Sequence, residues 1–135
     1  MKYEIKHCRT GKVIFFCETE TMRQCVEQAV RDSVDLHYAD LSYADLRGAD
    51  LWNADLGYAD LRYTNLRDAN LDFSSGLPFR CSSFDIKADI RLAAQLAYHF
   101  CRIDFGKNAD AKAAQVALKK LANQFHRVNE CGEIK

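Results

Sequence analysis

Leucine recurs at every fifth position through the middle of the chain, at 36, 41, 46, 51, 56, 61, 66 and 71, without an insertion. Alanine stands two residues before it in six of the eight units, with Val34 and Thr64 in the other two, and Asp or Asn lies between in all eight. Neither an α-helix nor a flat strand accommodates that period. A helix turns once in about 3.6 residues, so every fifth residue would spiral over all its faces. A flat strand alternates with period two, so successive leucines would point to opposite sides. A chain that turns a corner in each unit resolves the conflict. Each unit then forms one short side of a four-sided coil, with Leu and the small residue pointing in and the other three positions pointing out. Four units make a twenty-residue coil and eight make two, stacked at the ladder spacing of roughly 4.8 Å. Residues twenty apart then share a face: Tyr38 stacks on Tyr58, Tyr43 on Tyr63, Asp35 on Asp55 and Asp40 on Asp60.

Different patterns flank the repeat. Residues 3–8 and 13–18 are rich in Tyr, Ile, Val and Phe around Arg9-Thr10-Gly11-Lys12, which predicts a hairpin. Met22, Cys25, Val26, Ala29 and Val30 follow helical spacing behind a Thr21/Gln24 capping box. After the repeat, Ile86, Ile90, Ala93, Ala94, Ala97, Phe100 and Cys101 predict a helix capped by Asp85 and stopped at Gly106. Leu92, Leu96, Tyr98 and Ile103 widen its apolar surface nearly all round, which makes it a central helix. Ala114, Ala117, Leu118, Leu121, Ala122 and Phe125 predict a second helix, capped by Asp110. The organisation expected is a ββα cap over 1–33, a coil over 34–78 and a two-helix cap over 79–135, because an open solenoid end exposes unpaired backbone.

Charge is unevenly distributed. Nineteen basic and nineteen acidic residues cancel over the chain, but residues 34–73 hold eight Asp against three Arg. The coil is expected to present a negative belt. The six cysteines, at 8, 17, 25, 81, 101 and 131, include no C-x-x-C pair, so the expectation is free thiols, no metal and a reducing cytoplasm. Cys8 is expected to face Val13 across the hairpin, about four residues from Cys17. Cys25 and Cys101 read as small buried hydrophobes. The N-terminus has no apolar signal core, and no apolar run is long enough to cross a membrane.

At the units VDLHY, ADLSY, ADLRG, ADLWN, ADLGY, ADLRY, TNLRD and ANLDF, the chain resembles the pentapeptide repeat family. That resemblance implies a right-handed quadrilateral β-helix, here of two coils. The hairpin head and helical tail are similar to those of small phage-encoded members of the family. Some members are thought to mimic nucleic acid, which points to a host nucleic-acid enzyme or defence complex as a partner to inhibit.

Motifs for catalysis or cofactor binding are absent from the sequence: there is no G-x-G-x-x-G, P-loop, H-E-x-x-H or G-x-S-x-G. His37 is expected outward beside Asp40, and His99 buried in its helix. A protein-binding role is therefore expected rather than catalysis. Its surface is assigned to Tyr38, Tyr43, Tyr58, Tyr63 and Trp52, with Asp35, Asp40, Asp55 and Asp60 beside them, because aromatics with a polar handle anchor interfaces. The competing role for the carboxylates is to bond the backbone of the tight corners, and for the aromatics to pack under the hairpin or helices. A structural protein that assembles through its tail is the alternative, and a homodimer on the C-terminal helices is expected. Direct nucleic-acid binding is disfavoured, because the acidic belt repels phosphate.

Overall fold

The computed structural model describes residues 1–76 and 86–135. The chain divides into two compact units, Met1–Lys87 and Ala88–Lys135. Cys81, Asp85 and the boundary expected at 78/79 lie outside the described residues.

The first unit opens with β1 (Lys2–His7) and β2 (Val13–Glu18), an antiparallel hairpin bulged at Ile5/Lys6. His7 N–H donates to Lys12 O (2.8 Å), and Val13 pairs with Lys6 while Cys17 pairs with Tyr3. Cys8 therefore sits in the turn and does not face Val13; its N–H donates to Tyr38 O at 2.6 Å. Helix α1 (Met22–Arg31) begins where expected. Thr21 Oγ1 accepts from Gln24 N–H (3.2 Å), and Gln24 Oε1 accepts from Glu20 N–H (2.9 Å), one residue before the cap. Its apolar stripe of Cys25, Val26 and Ala29 is buried. β3 (Ala39–Asp40) pairs antiparallel with β1 through Lys6 and His7, which gives sheet order β2-β1-β3.

The repeat is a β-solenoid segment whose chain returns to register every twenty residues. Parallel bridges join Asp40 to Asp60, Asp45 to Asn65, Asp50 to Asn70 and Asp55 to Ser75. Each is flanked by backbone bonds such as Leu41 N–H to Asp60 O (3.0 Å) and Asp60 N–H to Ala39 O (2.8 Å). The corner lies in Leu-x-x-Ala. In every unit the Leu carbonyl accepts from the N–H three residues on, at 3.0–3.1 Å. The residue before that donor has φ between +56° and +65°, as a β-turn with a left-handed third residue requires. All eight leucines are buried, and Leu51 and Leu56 are fully so. The small position is tight: Ala39, Ala49 and Ala59 are fully buried. Thr64 fits there because its hydroxyl donates to Leu41 O at 2.8 Å, so its polar atom is satisfied in the core.

One expectation fails just after the repeat. Ile86 was expected to start a helix, but Lys87 instead forms a parallel bridge with Asn65. Leu66 N–H donates to Lys87 O (2.9 Å) and Lys87 N–H to Thr64 O (2.8 Å). Unpaired backbone groups on the coil recruit the segment, and tertiary pairing overrides the local apolar spacing.

The second unit holds α2 (Ile90–Cys101), α3 (Ala109–Ala122) and the short α4 (Val128–Cys131), which the sequence pattern did not announce. Asp89 caps α2 in place of Asp85, accepting from Leu92 N–H at 3.1 Å. The helix ends well before Gly106. The Gln115 amide donates to Phe100 O in the last turn of α2 (3.1 Å) and to Ile103 O just beyond it (2.8 Å). Asn108 caps α3, accepting from Ala111 N–H at 2.8 Å, and Asp110 lies in the first turn instead. The core comprises Ala97, Tyr98, Ala122 and Phe125. Ala117, expected on the apolar face of α3, is exposed, and so is His99 on α2; Ile90 and Ile103 are exposed too, so α2 is not apolar-packed all round. Tyr98 Oη donates to Gly132 O (2.7 Å), which ties the end of the chain to α2.

Candidate partner-binding surface

The outward side of each unit is governed by its Asp or Asn. In all eight units the side-chain Oδ1 accepts from the N–H two residues on, at 2.9–3.3 Å. These Asx bonds fix the corner that follows. The corner-bonding role of the carboxylates is therefore present at every position, whatever else those groups do.

The aromatic ladders stand where residues twenty apart stack. Tyr38 and Tyr58 lie 4.9 Å apart at 11°, and Tyr43 and Tyr63 4.9 Å apart at 26°. The two ladders differ in what covers them. His7 stacks on Tyr38 (4.9 Å, 13°), and the Arg9 guanidinium sits 5.1 Å over the same ring. Tyr38 is half-buried beneath the hairpin connection and is a packed residue, not part of an open patch. Tyr43 is 74% exposed and Tyr63 50%. Trp52 is exposed beside Phe73, edge-on at 5.7 Å.

The acidic belt is less open than its formal charge suggests. Asp60 was placed on the exposed surface, but it is only 8% exposed and holds Arg62 in a two-pronged ion pair, with Nε 2.9 and 3.0 Å from the two carboxylate oxygens. Arg47 grips Asp45 the same way, and that guanidinium holds the Asp45 carboxyl below the usual carboxylate range. These pairs were legible in ADLR, because Asp and the Arg two residues on both point outward from the same side. His37 does not lie beside Asp40. Its Nδ1 is 2.8 Å from Asp35 and 3.5 Å from Asp55. The His37 backbone N–H and then its ring lower the Asp35 carboxyl. The ring also lies over Gly57, where a Cβ would overlap it. Asp40 accepts from Ser42 Oγ (2.6 Å) and its N–H (3.1 Å) and stays exposed. Of the residues predicted for the surface, Tyr43 and Tyr63 form one exposed stack, Tyr58 is 52% exposed against the half-buried Tyr38, and Trp52 and Asp50 line the groove along α1.

A groove of about 470 Å³ runs between α1 and the coil, lined by Glu27, Asp35, Asp50, Trp52 and Asp55 among others. Its carboxylates are already bonded: Glu27 accepts from Asp50 N–H at 3.0 Å, and Asp50 from Asn70 Nδ2 at 3.0 Å. No helix among the described residues is long and apolar enough to cross a membrane. Cys8, Cys17, Cys25, Cys101 and Cys131 are free thiols, and burial with the Cys17 contact pushes Cys25 up to about 12.

The family model for pentapeptide repeats matches residues 35–72, in eight copies. No curated protein and no solved structure matches the chain.

Proposed function

We propose that this chain, whose residues 35–72 are pentapeptide repeats, is a non-enzymatic protein-binding module that engages its partner with Tyr43 and Tyr63. The repeat family supports an interaction role. The observation that carries the finer assignment is the exposed Tyr43–Tyr63 stack on a backbone held by ladder bonds on both coils. Rings fixed in that way lose little conformational entropy on binding. A right-handed quadrilateral β-helix of two coils is the architecture that goes with this reading, and the twenty-residue register supports it.

The partner favoured is a basic protein, such as a nucleic-acid enzyme or a defence complex of a phage host, which this chain would inhibit. The exposed carboxylates of Asp35, Asp40 and Asp55 would steer it. Full duplex mimicry is less supported, because Arg47 and Arg62 neutralise two of the acids. A cytoplasmic location goes with the free thiols.

Capture of partners with the full chain, followed by binding kinetics on the captured protein, tests the assignment. Tyr43→Ala with Tyr63→Ala is expected to raise the dissociation rate, and Asp35→Lys with Asp40→Lys to slow association and weaken its salt dependence. Parent-like kinetics for both folded variants would place the site elsewhere.

A further inference from the structure

We infer that the chain forms a twofold dimer by pairing β2 with β2 of a second copy. This goes beyond the partner surface above and does not rest on it. β2 is the outer strand of the sheet, with no strand beyond it among the described residues. Met1 and Thr19 exchange N–H···O bonds in both directions at 3.0 Å, so Thr19 points at β1. The alternation of an antiparallel ladder then aims Cys17 and Phe15 at β1 and leaves the N–H and C=O of Phe16 and Glu18 directed outward. The strand reads Val-Ile-Phe-Phe-Cys-Glu. The strand itself carries no lysine or proline to block the open edge, and Phe16 is 60% exposed on it, with the Lys2 amine 4.8 Å over its ring.

The ends of the strand select a second copy of this chain in antiparallel order. With the twofold axis through Phe16, the two Phe16 residues exchange backbone bonds and their rings meet. Antiparallel order brings the end of β2 that follows Lys12 to the end of the second copy that carries Glu18 and leads to Glu20, and the same meeting of opposite charges repeats across the axis. A parallel arrangement would bring Lys12 against Lys12. The C-terminal helices, where the sequence led us to expect a dimer, are less suited. The exposed face of α3 carries Lys112, Val116, Lys119 and Lys120, and an antiparallel pair centred on Val116 sets Lys112 against Lys120. The strand dimer would join two three-stranded sheets into one and carry two Tyr43–Tyr63 surfaces on a single particle.

Sedimentation equilibrium of the full chain, from micromolar to hundreds of micromolar, tests the inference. A reversible dimer of the 15.4 kDa chain is expected. Lys12→Glu should weaken it roughly tenfold at low salt, since two exposed opposite-charge contacts per dimer become like-charge ones. Adding Glu18→Lys and Glu20→Lys to that variant should restore it. Phe16→Pro removes an outward N–H that β1 does not use, so it should give a folded monomer, with Trp52 emission reporting the fold. If that variant fails to fold, the charge series decides. A monomeric parent, a charge swap without restoration, or a folded Phe16→Pro dimer would each overturn the inference.

Discussion

Leu56→Ala is the sharpest test of the coil. Leu56 is fully buried, and its backbone is bonded both to the next turn of the chain and within its own corner. Its N–H donates to Ser75 O at 2.9 Å, and its carbonyl accepts from Ala59 N–H at 3.0 Å. Removing three carbons loses about 2 kcal/mol of transfer free energy, at about 0.8 per CH₂. A backbone held by a ladder bond and a corner bond relaxes little into the space, so the cavity contribution stays, and a total of about 3–5 kcal/mol is expected. The control is Ser42→Ala. That hydroxyl points outward to Asp40 at 2.6 Å, and its loss should cost less than about 1 kcal/mol. The single tryptophan, Trp52, lies on the coil, so urea melts followed by its emission report the first unit alone. Equal midpoints for the two variants would refute an inward leucine core.

Gly57→Ala should cost about 1–3 kcal/mol by overpacking, because its Cβ would overlap the His37 ring; adding His37→Ala should recover most of that in the same melt. Cys25 should resist alkylation by iodoacetamide while exposed Cys131 reacts. Burial raises the Cys25 thiol from an ordinary 9.0 to about 12, so the folded state keeps its proton where the unfolded chain has lost it. Stability is therefore full below pH 9 and falls as pH rises from there towards 12, and Cys25→Ala should flatten that limb of the urea midpoint against pH.

The coil was legible in the sequence because its rule is local and repeated. A five-residue period with an inward Leu and a small partner leaves few geometries, so the tyrosine stacks and the buried Leu51 and Leu56 followed directly. The Asx bonds were legible as well, since Asp and Asn bond the N–H two residues on whatever lies further away. What escaped depended on partners distant in sequence or on ends. Tyr38 is covered because the hairpin connection brings His7 and Arg9 onto it, contacts separated by about thirty positions. Asp60 is buried while Asp45, gripped by Arg47 in the same local way, stays exposed, so the pair within the unit does not by itself set the burial. Asp89 rather than Asp85 caps α2 because Lys87 is drawn into the ladder beside Asn65, and no periodicity within residues 86–101 announces that competition.

The corner residues offer a last test, which separates stability from recognition at Tyr43 and Tyr63. Both hold left-handed backbone, at φ +59° and +60°, where a residue with a Cβ is disfavoured by roughly 1–2 kcal/mol. Two such residues therefore cost about 2–4 kcal/mol. A stacked aromatic pair returns only about 0.5–1.5 kcal/mol beyond its buried area, and these rings bury little. Glycine relieves the strain but gives back part of it as chain entropy, about 0.4–1 kcal/mol per site. Tyr43→Gly with Tyr63→Gly should thus leave the Trp52-detected stability within about 1 kcal/mol of the parent. Tyr38→Gly should differ, because there His7 and the Arg9 guanidinium add two more faces of contact; that variant should lose stability. If the Tyr43/Tyr63 variant instead loses about 2 kcal/mol or more, the ladder is a stabilising device and the partner assignment loses its main support. If it keeps its stability, tyrosine occupies those strained corners for a contact the isolated chain does not make.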